Sequence, residues 1–129
     1  MRNERLYGLT RQAAFGTIEL VDRLPRTFGF LRIGGQLFDS GTSQAANYRA
    51  ADRAQSTRAL IAKLKIVEEE ADESLFWLEC LFVARLPTIF HPEVKVLQDQ
   101  FTQITKMTVA AIRTSRARLS DEHLRPKQR

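Results

Sequence analysis

Cysteine and histidine are nearly missing from this sequence. Cys80 is the only cysteine, so an internal disulfide framework is excluded and a reducing compartment fits. The two histidines, His91 and His123, do not follow a glutamate at the Glu-x-x-His spacing that a di-metal helical bundle needs. Proline and glycine are also scarce, with four and six copies, and Gly29, Gly34, Gly35 and Gly41 fall close together. Few turns and long helices are the consequence. No uncharged apolar run approaches the ~20 residues that cross a bilayer. The opening MRNERLYGLTRQ shows no apolar core or small-residue cleavage site. These absences lead us to expect a bacterial-type cytoplasmic protein.

Charge is plentiful, and it is polarised along the chain. The net charge is +5 over 129 residues. Residues 1–65 carry 11 basic and 5 acidic side chains, residues 66–112 carry 3 and 8, and residues 113–129 carry 6 and 2. A basic front, an acidic middle and a basic tail suit a polyanionic partner, neighbouring copies of the chain, or helices of opposite charge facing one another. An apolar fraction of 43% and this length support one domain with one core.

Hydrophobic periodicity predicts four helices and no strands. The first runs from an N-cap at Thr10 to Leu24, with Ala14, Phe15, Ile18 and Val21 as its apolar stripe, and Pro25 stops it. The second begins within residues 26–32 and carries Phe28, Phe30, Leu31, Leu37 and Phe38. A break at Ala54-Gln55-Ser56 lets Ser56 cap a third helix over about 57–86, whose seam includes Leu60, Leu64, Val67, Ala71, Leu78 and Phe82. Pro92 suits the first turn of a fourth helix carrying Val94, Leu97, Phe101, Ile104, Met107 and Ile112. Short connections then make an antiparallel up-down four-helix bundle over residues 1–119, with 120–129 a basic, disordered tail.

The second helix holds an unusual stretch, GTSQAANYR at 41–49. Gly41, Ser43, Ala45 and Ala46 are small enough to let another helix approach closely. Asn47 needs partners if buried, Tyr48 combines an apolar body with a polar tip, and Arg49 offers a planar fork for carboxylates. The acidic run of the third helix supplies Glu69 and Glu73, so Arg49 is expected to pair with one of them, within the chain or across a subunit boundary.

The run from Gln36 to Leu81 resembles the four-helix-bundle family known as 23S rRNA intervening-sequence proteins. The matching positions are Gln36-Leu37, Ser40, Thr42-Ser43, Ala46-Asn47-Tyr48-Arg49, Ser56, Lys63-Leu64, Glu70-Ala71-Asp72-Glu73-Ser74 and Phe76-Trp77-Leu78. Ala50-Ala51 stand where many members have a glutamate after Tyr-Arg, and Leu60 replaces a common aromatic. The resemblance implies an up-down bundle assembling as a homopentameric ring. It extends in fold to the basic pentameric accessory protein of diversity-generating retroelements, which binds a reverse transcriptase and nucleic acid. It brings no catalytic residues.

Nothing in the residues points to catalysis, a cofactor or a metal. Cys80 reads as a buried small hydrophobe among Leu78, Leu81 and Phe82. Glu69 and Glu73, one turn apart, read as an ion-pair or solvated face. Gly34-Gly35 lacks the lysine and spacing of a phosphate loop. Nucleic-acid binding rests on charge: Arg2, Arg5, Arg11, Arg23, Arg26 and Arg32 toward the front, and Arg113, Arg116, Arg118, Arg125, Lys127 and Arg129 at the end. No RNA-reading module or aromatic stacking platform is recognisable, so binding would be backbone-driven and salt-dependent. Two functions remain: a non-enzymatic oligomeric adaptor that binds structured RNA or an RNA–protein complex, and a structural or protein-binding scaffold without nucleic acid.

Overall fold

The computed structural model describes residues 3–124, which form α1 (Glu4–Arg23), α2 (Phe28–Asp52), α3 (Thr57–Val83), a 3-10 turn at Thr88–Phe90 and α4 (His91–Leu124). No strand occurs among the described residues, and no helix there is long and apolar enough to cross a membrane.

Each boundary has a local cause. Asn3 caps α1, its side-chain oxygen accepting from the Leu6 N–H at 3.0 Å. Leu24-Pro25 ends α1 in extended backbone. Ser56 caps α3 as expected, accepting from the Ala59 N–H at 3.1 Å. The end of α3 is a Schellman turn: Leu86 N–H donates to Leu81 C=O and Arg85 N–H to Phe82 C=O, both at 3.0 Å. Arg85 sits there at φ 65°, in the left-handed position usually taken by glycine. Leu86 is buried behind it, and Pro92 lies in the first turn of α4.

Each helix packs on its sequence neighbours and α4 closes onto α1, which makes the four-cornered up-down bundle. Pairs along the α1–α4 seam run in opposite directions: Arg5 reaches Gln103, and Arg23 reaches Glu93. The core is built from Leu37 of α2, Leu64, Val67 and Leu78 of α3, and Val94 and Phe101 of α4.

The inward face of α1 differs from the expected stripe. The helix starts at Glu4 rather than after Thr10. Its buried line is Leu6, Thr10, Ala13, Ala14, Thr17 and Leu20, while Phe15 is 51% exposed and Ile18 39% exposed. Threonine enters the core because each hydroxyl bonds to its own helix: Thr10 Oγ1 donates to the Tyr7 carbonyl and Thr17 Oγ1 to the Ala13 carbonyl. Three other expectations also change. Helix α3 ends at Val83, Cys80 is only half-buried, and α4 continues through Leu124, so residues 120–124 are helical rather than a disordered tail. The rest of that tail, 125–129, lies outside the described residues.

The helices are unequal. At 34 residues α4 spans about 51 Å, against about 30 Å for the 20 residues of α1. Its last turns therefore run past the start of α1 and lie along the start of α3, where Thr57 Oγ1 donates to Glu122 and Arg58 approaches His123.

Candidate nucleic-acid interface

The small residues of α2 make contact within the chain. A Cβ on Gly41 would stand 2.8–3.1 Å from three side-chain atoms of Thr17, so α1 and α2 cross there at a spacing that glycine alone permits. Ser40 and Ser74 share a hydrogen bond of 2.8 Å, which links α2 to α3. Gln44 is fully buried and donates from Nε2 to the carbonyls of Thr10 (2.7 Å) and Gly41 (2.9 Å). Gln44, Ser40, Ser74, Thr10 and Thr17 are members of this polar layer missing from the expected contact set. The spacing Gly41–Gln44–Tyr48, with Thr10 and Thr17 opposite, was the signal for Gln44.

The remaining predicted residues of the stretch turn outward by degrees. Ser43 and Asn47 are half-buried and bond to each other on the helix surface, Asn47 Nδ2 to Ser43 Oγ at 3.0 Å. Tyr48 is buried with its ring 6.5 Å from that of Tyr7. Arg49, Glu69 and Glu73 are exposed, and among the described residues no ion pair within the chain joins Arg49 to either glutamate.

The predicted arginines do not form one patch. Arg11 lies over the rings of Tyr7 and Phe15, 5.4 and 5.2 Å from their centroids. This ladder at i, i+4, i+8 was hidden by starting α1 too late. Arg23 is engaged by Glu93 and lies 5.7 Å from the centre of the Phe90 ring. The Glu93 hydrogen bond raises the Arg23 pKa further. Arg26 and Arg32 belong to the end of the bundle that holds the α1–α2 and α3–α4 connections, which also carries Arg85. Arg113, Arg116 and Arg118 belong to the opposite end. Arg2, Arg125, Lys127 and Arg129 lie outside the described residues.

That opposite end is more basic than the predicted set alone. The close of α2, the α2–α3 connection and the start of α3 bring in Arg49, Arg53 and Arg58 beside the final turns of α4, and all six of these arginines are exposed. Sequence distance obscured the grouping, because the α2–α3 connection and the last turns of α4 are some sixty residues apart. The acidic run of Glu68, Glu69, Glu70, Asp72 and Glu73 lies instead in the middle of α3, where Glu70 is half-buried. Burial, and then the neighbouring Glu73, Glu69 and Asp39 carboxylates, raise the Glu70 pKa above the ordinary range.

The acidic run of α3 lies mid-rod, whereas the basic end holds six arginines together with Glu4, Asp52, Asp121 and Glu122. An array of exposed guanidinium groups is suited to gripping phosphate oxygens.

No protein-family model matches the chain, and no curated protein does. A solved structure does: a protein of unknown function from the S23 ribosomal protein family of Bacteroides thetaiotaomicron VPI-5482. The two are 27% identical and superpose with a TM-score of 0.73, over 83% of this chain and 97% of that one. The resemblance drawn from residues 36–81 therefore extends in structure to most of the chain.

Proposed function

Starting from that likeness to an S23-family protein, we propose that this chain is a non-enzymatic, self-assembling helical bundle that binds structured RNA through its basic end. The observation that carries the reading is the clustering of Arg49, Arg53, Arg58, Arg113, Arg116 and Arg118 at one end, all exposed. Planar guanidinium forks take two phosphate oxygens each, and such contacts release counterions, so affinity should fall steeply with salt. In a homopentamer the array would be repeated five times, which raises avidity for a long polyanion.

A scaffold without RNA is the second reading, and a different observation favours it. Phe15 and Ile18 of α1 and Phe38 of α2 remain exposed within three residues of Thr17 or Gly41, and Leu31 is exposed nearer the start of α2. Exposed apolar groups of this kind suit an interface between copies, and Arg49 could then meet Glu69 or Glu73 of a neighbour. The setting would be the cytoplasm.

Titration of ribosomal RNA fragments at two salt concentrations, with solution mass measured on the same sample, decides between them. Tight binding at low salt that weakens with added salt supports the first reading. A pentamer that ignores RNA at low salt supports the scaffold, and a monomer removes the assembly from both.

A further inference from the structure

The overhang of α4 leaves a hollow at the basic end. Beside the start of α1, an open hollow of about 630 Å³ lies between the end of α2, the start of α3 and the last turns of α4. This volume lies in the range of small-molecule sites, about 300–1,000 Å³. Its floor is apolar, formed by Leu6, Leu60, Leu64, Met107 and Ala111.

Polar groups gather at one side of the hollow. Ser115 lines it, is only 4% exposed, and its hydroxyl forms no hydrogen bond among the described residues. Arg118 stands on the lip, exposed. The start of α3 also opens here. Ser56 satisfies the N–H groups of Ala59 and Leu60, which leaves those of Thr57 and Arg58 directed out of the helix end. Two carboxylates stand nearby: Asp52 is on the rim, and Glu122 accepts from Thr57 Oγ1 at 3.2 Å. Asp121 and Glu4 also belong to this end, so net charge does not select the ligand; Arg118 is the cation that lines the hollow, and it places an anionic head group on that side of the mouth.

We propose that this hollow binds a small amphipathic carboxylate, with its hydrocarbon chain on Leu6, Leu60, Leu64 and Met107 and its head group among Ser115, Arg118 and the start of α3. The Ser115 hydroxyl donates to the carboxylate, and the Arg118 guanidinium holds it at the mouth. The hollow shares Arg118 with the proposed RNA face, and its test contains no RNA, so the two can fail separately.

The test uses the full chain with decanoate, decanol and decylamine, each below its micelle concentration, followed by titration calorimetry and thermal unfolding. Decanoate is expected to bind and to raise the unfolding midpoint, with decylamine at least about tenfold weaker. Arg118→Gln should weaken decanoate about tenfold and leave decanol unchanged, because only the charged head group meets the guanidinium. Ala111→Phe fills the floor and should abolish binding of both. Should that variant misfold by circular dichroism, Arg118→Gln decides alone, since its side chain is exposed. Failure of decanoate to bind, decylamine binding as tightly as decanoate, or decanoate binding Arg118→Gln as it binds the parent overturns the proposal.

Discussion

The middle of the bundle and its basic end solve opposite problems. In the middle, Gly41 rests against Thr17, Ser40 bonds to Ser74, and Gln44 reaches across to the Thr10 carbonyl. Small side chains bring the helices close, and hydrogen bonds satisfy the Ser40, Ser74 and Gln44 Nε2 donors, while Gln44 Oε1 is buried without a partner among the described residues. At the end, α4 outruns α1, the helices border an open hollow, and arginines stand exposed around it. Packing is therefore tightest where the residues are small and neutral, while the basic end carries fewer packing constraints.

The largest effect should come from filling the crossing. Gly41→Leu is expected to cost about 3 kcal/mol in chemical unfolding, because its side chain must displace Thr17. Thr17→Ala in the same chain should return part of that loss. Gly35 lies on the same helix with open space around it, so Gly35→Ala should instead stabilise by about 0.5–1 kcal/mol. Equal effects at the two glycines would refute the close crossing.

Arg85 lies at the end of α3, away from both regions, and Arg85→Gly tests its backbone. Relief of the left-handed backbone at the end of α3 should raise stability by about 1 kcal/mol, read as a shift of the denaturation midpoint without change of slope.

The smallest effect concerns Glu70, and its sign follows from linkage. Folding raises its pKa, so the folded chain binds the proton more tightly than the unfolded chain. Its contribution is fully present below the ordinary glutamate pKa and is lost as pH rises through the folded value. Glu70→Gln should therefore stabilise at neutral pH by less than about 1 kcal/mol, with the gain vanishing in acid. Denaturation curves at acidic and neutral pH check this, and a gain that grows in acid would contradict it.

What could be read from the chain divides along the same line. Helices α2, α3 and α4 were legible because strong apolar seams, the Ser56 cap and Pro92 mark them directly. The inward face of α1 was not, because Thr10 and Thr17 look like surface residues until their hydroxyls are seen to bond to their own helix. The tight role of Gly41 was legible from side-chain size. Its partner was not, since Thr17 offers no apolar signal. The basic end was half legible: Arg113, Arg116 and Arg118 form a visible run, but Arg53 and Arg58 join them only through the antiparallel topology. The hollow follows from unequal helix lengths, and an N-cap placed at Thr10 concealed the start of α1 that bounds it.

The central claim, that the basic end of the rod is where RNA is held, is tested most directly by reversing charge at one end and then at the other. Ribosomal RNA affinity would be measured at two salt concentrations for Arg53→Glu/Arg58→Glu/Arg116→Glu and for the opposite-end control Arg26→Glu/Arg32→Glu/Arg85→Glu. The account predicts a large loss of affinity and a shallower salt dependence for the first variant only, with unfolding midpoints of both close to the parent. Equal losses from the two ends, or a larger loss from the control, would contradict it.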